Sequence, residues 1–189
     1  VVAKLSFGTT ARFLRNPIFI IGSARSGTSL LARLVGSHPD VAHWSEANTI
    51  WDPVGFPGRP IADGEGWWRD TEPRRKEIKA IFGAYQAATL KSHFMNKSPF
   101  NTFRIAFLLR MFPDAKFVHL IRDGRAVAYS YAMKIHEKRA TAWEEGNSHN
   151  EPVAFDTRIS MCAGIWKASV EEVQRLDHEL NLNMRGLLL

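Results

Sequence analysis

The 189-residue chain carries a single cysteine, Cys162, so no disulfide can close within it, and a reducing compartment is expected. No apolar run approaches the roughly 18 residues that span a bilayer. The longest, Ile18 to Ile21 and Phe117 to Ile121, have the length of strands. No group of His, Cys, Asp and Glu has metal-ligand spacing, so no metal is expected. The aromatic–basic repeat of an RNA-binding surface is missing too. The first residue is Val1 rather than methionine, and Gly186-Leu187-Leu188-Leu189 ends the chain on an apolar segment without turn chemistry. Both ends are therefore expected to be incomplete. A cytoplasmic location is the expectation, which an N-terminal anchor outside this stretch would change. What remains, 45% hydrophobic and 23% charged, reads as one globular domain over residues 1–189.

The formal net charge of +6 and an isoelectric point near 9.7 favour an anionic ligand. Nucleic acid is the general reading of such a charge. Here, however, Arg25, Lys97, Arg122 and Arg125 stand singly in turns instead of forming a run. That placement matches a discrete polyanionic small molecule, and no nucleic-acid partner is expected.

Pro17-Ile18-Phe19-Ile20-Ile21 is a continuous apolar run of the kind buried on both faces of a parallel sheet. A glycine-bounded turn follows, and then Leu30, Leu31, Leu34 and Val35 recur at helical spacing until Gly36 and Pro39. The pattern continues with a short strand over 41–44, a helix over 74–90 and a strand ending near Asn96. Phe100, Phe103, Phe107 and Met111 define one helical face before Pro113, with a strand over 116–121 and a helix over 124–134 beyond it. Ile159, Cys162, Trp166, Ser169, Val173, Leu176 and Leu180 form the stripe of a final helix, read as core packing. Residues 52–73, rich in glycine and proline with Trp67 and Trp68, and residues 136–157 are expected to be long loops that bind an acceptor. Alternating strands and helices predict an α/β three-layer sandwich around a central parallel sheet. Ligands of such sheets bind beyond the carboxyl ends of the strands, so the turns after Ile21, Asn96 and Ile121 should converge on one crevice.

The turn Gly22-Ser23-Ala24-Arg25-Ser26-Gly27-Thr28-Ser29 joins the first strand to its helix and offers backbone N–H groups to an anion. The two glycines have the spacing of a Walker loop, yet Thr28 stands where that loop has lysine, and Arg25 supplies the positive charge instead. A nucleoside-triphosphate enzyme needs Mg²⁺ and an aspartate to hold it. Here Arg122 leaves the strand before Asp123, and a guanidinium is the natural bidentate partner of a phosphate. An ion pair from Arg122 to Asp123 or Glu46 is the alternative.

Taken together, Arg25-Ser26-Gly27-Thr28-Ser29, His38-Pro39-Asp40-Val41, Asn96-Lys97-Ser98-Pro99-Phe100 and Arg122-Asp123-Gly124-Arg125 resemble the motifs of sulfotransferases that use 3′-phosphoadenosine 5′-phosphosulfate (PAPS), with wording nearest the tyrosylprotein branch. The matches run in order over residues 17 to 134. The family's later segment, which closes over the adenine and 3′-phosphate, is not recognisable in this chain. The resemblance implies a fold like that of the P-loop nucleoside triphosphate hydrolases, with no metal. It implies that Gly22, Ser23, Ala24, Arg25, Ser26, Gly27, Thr28 and Ser29 bind the 5′-phosphosulfate and that Arg122 and Ser130 bind the 3′-phosphate.

The same resemblance assigns Glu46 as the base that takes the acceptor's proton, and Lys97 with Arg25 as the groups that stabilise the departing phosphate. A helix-start glutamate beside Ser45 is the plainer reading of Glu46. The histidine base of the cytosolic branch, shortly after the lysine, is absent: Ser98 and Pro99 follow Lys97, and His93 lies on its other side. The acceptor is left open among a protein tyrosine, a carbohydrate and a small hydroxyl compound, as is the oligomeric state. The competing classes are a degenerate P-loop nucleotide kinase and a non-catalytic nucleotide binder.

Overall fold

A computed structural model describes residues 14, 16–47, 50, 71–144 and 154–189, with side chains of 136–144 outside the description. Four strands form one all-parallel sheet: β1 (Ile18–Ile21), β2 (Val41–Ser45), β3 (His93–Lys97) and β4 (Lys116–His119), in the order β2-β3-β1-β4. The helices are α1 (Thr28–Gly36), α2 (Glu72–Thr89), α3 (Ile105–Met111), α4 (Gly124–Glu144) and α5 (Phe155–Leu180), with a 3₁₀ turn over Pro99–Arg104. The expected three layers are present. Ile20 and Met95 face one way, onto Ala32, Leu31 and Val35 of α1. Phe19, Ile21, Phe94 and Phe117 face the other way, among Ile78 and Phe82 of α2, Phe107 of α3, and Val173 and Leu176 of α5. Full burial of one such phenylalanine stabilises the fold by about 1.5–3 kcal/mol.

β1 occupies the centre because it is apolar at every position, and its register sets the height of its neighbours. Ile20 lies opposite Lys97 and Ile21 opposite His119, while Ser45 of β2 lies opposite Lys97. All four carboxyl ends therefore open at one edge of the sheet. Beyond β4, Leu187 and Leu189 exchange backbone hydrogen bonds with Phe117 and His119, so the apolar C-terminal residues extend the sheet.

The strand expected over 116–121 ends at His119, and both expected long loops need correction. The stretch 136–157 is not a loop throughout: residues 136–144 continue α4 and residues 155–157 begin α5. Ile135 to Glu144 includes Glu, Lys, Arg and Ala, good helix formers, with no glycine before Gly146 to interrupt them. The first loop likewise gives way at Glu72, where the Thr71 hydroxyl accepts the Arg74 N–H and caps α2. Residues 52–70 and 145–153, and with them Trp67 and Trp68, lie outside the described residues. Among the described residues no helix is long and apolar enough to cross a membrane.

Two histidines make the fold sensitive to mild acid. Burial lowers the pKa of His119 below its ordinary value of 6.5, and burial followed by the charge of Lys97 lowers that of His43. Among the described residues neither Nε2 atom has a hydrogen-bond partner. Both rings are neutral in the folded chain and gain protons more readily once unfolded, so stability falls as pH drops through 6.5 and levels off below the folded-state values. Thermal melts between about pH 7.5 and 5.5 should show a declining midpoint, and His119→Phe should flatten the slope.

Candidate active site

The loop after β1 is built for close approach. Gly22 has φ 135°, and a Cβ there would come within 2.5 Å of the Leu120 carbonyl oxygen, so any side chain would force β1 and β4 apart. The Gly22 N–H donates to Thr102 Oγ1 at 2.9 Å. Thr102 is fully buried in the 3₁₀ turn, and it ties the loop to the segment after β3. At the other end Gly27, with φ 102°, starts α1 without a side-chain cap, which leaves the helix-start donors to a ligand. Ser23, Ser26 and Thr28 are buried, and the Ser26 hydroxyl has no hydrogen-bond partner among the described residues. Arg25 is held at φ 70° with its side chain exposed, and its Nε donates to Ser130 Oγ at 3.1 Å.

The segment expected to bind a second anion follows β4. Asp123 accepts from the N–H groups of Arg125 (2.8 Å) and Ala126 (3.2 Å), capping α4, and its carboxylate also pairs with the Arg125 guanidinium at 2.8 Å. The Arg125 guanidinium, with those two N–H groups, holds the Asp123 carboxyl well below the usual carboxylate range. Arg125 is thus engaged locally. Arg122 takes neither of the ion pairs open to it in the sequence, because Asp123 pairs with Arg125 and Glu46 pairs with Lys97. Instead its Nη1 donates to the Arg25 carbonyl oxygen at 3.4 Å. Arg25, Ser130 and Arg122 are therefore brought together, and among the described residues no carboxylate pairs with either arginine.

Two cavities open there, divided by Tyr129. One, of about 460 Å³, is lined by Arg25, Tyr129, Ser130, Met133 and Lys134. The other, of about 1020 Å³, is a mainly apolar groove between α4 and α5 that includes Arg122, Tyr129, Ala163 and Trp166. Trp166 lies against Gly124, where a Cβ would come within 2.7 Å of its ring, and its Nε1 donates to the Arg122 carbonyl at 3.1 Å. The helical stripe placed Trp166 in the core with Cys162, Ser169, Val173 and Leu176. Those four are buried, whereas Trp166 is half-buried at the groove.

At the ends of β2 and β3, Lys97 Nζ meets Glu46 Oε1 at 2.5 Å. The Lys97 side chain is only 2% exposed and the Glu46 side chain 51%. A buried ammonium requires such a partner. The Glu46 N–H donates to the Lys97 carbonyl at 2.7 Å, and Glu46 adopts φ 45°. A non-glycine residue there is uncommon and turns its side chain out of the strand direction. Glu46 itself is not helical, but the chain turns helical just after it, where the Ile50 N–H donates to the Ala47 carbonyl at 3.0 Å. A place beside a helix start and the contact with Lys97 therefore go together. His43, an alternative base by position, has its ring against Gly36 and its Nε2 buried.

A glycine turn feeding a helix from a central strand of a parallel sheet is the arrangement of the P-loop-like class of α/β folds. A sequence profile described as the sulfotransferase family matches residues 17–181, and the chain belongs to that family. Protein-tyrosine sulfotransferase 1 of Mus musculus is 31% identical over 128 residues, covering 60% of this chain and 33% of the mouse protein. Protein-tyrosine sulfotransferase A of Caenorhabditis elegans is 29% identical over 129 residues, covering 60% of this chain and 32% of its own length. The chain thus spans about a third of these relatives. Among solved structures, a sulfotransferase from Alicyclobacillus acidocaldarius superposes with a TM-score of 0.54 at 22% identity, over 93% of this chain and 72% of that one. The sulfotransferase domain of the Synechococcus PCC 7002 olefin synthase does so with a TM-score of 0.54 at 21% identity, over 86% and 62% respectively. These two likenesses concern the fold.

Proposed function

We propose that this crevice transfers a sulfuryl group from PAPS to an acceptor hydroxyl or amine. The observation that carries the reading is the pairing of a buried lysine with a half-exposed carboxylate at the strand ends, on the same sheet edge as two arginines that have no carboxylate partner among the described residues. The backbone of residues 22–29 and Arg25 bind the 5′-phosphosulfate, and Arg122 with Ser130 binds the 3′-phosphate. The apolar groove beside Tyr129 accommodates the adenosine. Among the described residues no group of three or more His, Cys, Asp and Glu is placed to hold a metal ion.

In the transfer step Glu46 takes the proton of the acceptor O–H or N–H as that atom bonds to sulfur. The bond from sulfur to the bridging oxygen breaks, and its electron pair stays on the 5′-phosphate. Lys97 Nζ donates to that oxygen as its charge grows, giving adenosine 3′,5′-bisphosphate. Lys97 must therefore exchange its contact with Glu46 for one with the donor. Similarity to protein-tyrosine sulfotransferases makes a tyrosyl peptide the first acceptor to try, with carbohydrate and small hydroxyl acceptors as alternatives.

Calorimetry tests the donor site. Adenosine 3′,5′-bisphosphate should bind more tightly than adenosine 5′-phosphate, and Arg122→Ala should remove on the order of 2 kcal/mol from the first and little from the second. Equal affinity of the two nucleotides for the unaltered chain would remove the 3′-phosphate site from the reading.

A further inference from the structure

Behind the Glu46–Lys97 pair lies a buried arrangement of amides that the transfer chemistry does not use. Asn96 and Asn101 are both fully buried. Asn96 Nδ2 donates to the Trp44 carbonyl at 2.7 Å, and Asn101 Nδ2 donates to Asn96 Oδ1 at 2.7 Å. The Asn101 N–H is itself anchored on the Ser98 carbonyl at 3.0 Å. Asn96 immediately precedes Lys97, and Trp44 stands two residues before Glu46. The amides therefore link the last turn of each strand that carries a member of the pair.

The strand order makes this link consequential. β2 lies at the edge of the sheet and, among the described residues, pairs with β3 alone. Lys91 Nζ and Tyr85 Oη hold its earlier carbonyls, of Val41 and His43, whereas the end that carries Glu46 is held to β3 by the Glu46 N–H and the Asn96 side chain. Trp44 and Asn96 face each other in register, and the Asn96 side chain adds a lateral tie at that level. A buried side-chain amide is costly unless hydrogen-bonded. An apolar residue would fill the same core space without that requirement, but it would not bridge the two strands.

We propose that Asn96 and Asn101 are positioning residues, which hold the end of β2 against β3 so that the Glu46 carboxylate stands at the sulfuryl-transfer point beside Lys97. The proposal rests on the reading of Glu46 as base. It predicts a larger defect in turnover than in donor binding, because the loop after β1 meets this segment through Thr102 Oγ1, which the Asn101 substitutions leave in place, and Arg122 follows β4.

The test uses the full chain, PAPS and a tyrosine-bearing peptide, with Asn101→Ala and Asn101→Ser made in both the unaltered and the Glu46→Gln backgrounds. Asn101→Ala should lower kcat by about 10- to 100-fold, as misplacement of a reacting group does, while the Kd for adenosine 3′,5′-bisphosphate stays within about twofold. Asn101→Ser, which retains a donor for Asn96, should recover part of the loss. In the Glu46→Gln background Asn101→Ala should change kcat by less than about twofold, since the group it positions is already disabled. A crystal structure of Asn101→Ala provides a readout independent of the acceptor, and should show Glu46 and Lys97 beyond hydrogen-bond reach. An unchanged Glu46–Lys97 contact, an equal kcat loss in both backgrounds, or a loss of bisphosphate affinity matching the loss of kcat would overturn the positioning role. Full turnover by Glu46→Gln alone would instead overturn the base reading beneath it.

Discussion

Glu46→Gln should lower turnover by about 100-fold or more while leaving the affinity for adenosine 3′,5′-bisphosphate intact. Glutamine preserves the shape of the side chain and an oxygen for Lys97, so the buried ammonium keeps a hydrogen-bond acceptor although it loses its counter-charge. What disappears is the capacity to take a proton. The exposure of the Glu46 side chain, 51%, leaves the carboxylate accessible to an incoming acceptor, in contrast with the buried Nε2 of His43. Sulfate transfer and calorimetry on the same preparation separate the two effects. A Glu46→Gln protein with unchanged turnover would move the base elsewhere.

Lys97→Ala should depress kcat by about 100-fold or more and donor affinity by much less, because charge on the leaving phosphate develops only in the transition state. The fold should tolerate this change. Removing Lys97 deletes the buried charge itself, and the carboxylate it leaves behind is half-exposed and returns to water. The opposite alteration, truncation of Glu46 to alanine, would strand a 2% exposed ammonium and should destabilise the chain more. An effect of Lys97→Ala confined to KM would make Lys97 a binding residue.

Much of this site was legible in the sequence because its parts are local. A parallel strand buried on both faces shows as an unbroken apolar run, and a glycine-bounded turn between strand and helix shows in its spacing, so β1, α1 and the turn over residues 22–29 were readable directly as structure. Arg122 at a strand end was readable for the same reason, although the sequence could not choose between a ligand and a carboxylate partner. That choice depends on Asp123 turning back to cap α4 and engage Arg125. Contacts between distant segments were not legible. Thr102 meets Gly22 across 80 positions, and the Trp166 indole reaches the Arg122 carbonyl across 44. Helical periodicity places Trp166 on the buried stripe, but only the approach of Gly124 turns its ring towards the groove. The loop assigned to 136–157 was too long because polar composition was read as irregular backbone, although its first half is rich in helix formers.

The central claim is that the crevice recognises a nucleotide phosphorylated at both the 3′ and 5′ positions, where a degenerate kinase would bind ATP with Mg²⁺. Calorimetric titration of the unaltered chain with adenosine 3′,5′-bisphosphate and, separately, with ATP and Mg²⁺ addresses it most directly. The bisphosphate should bind the more tightly, with an affinity indifferent to Mg²⁺. Tighter binding of ATP that depends on Mg²⁺ would contradict the account.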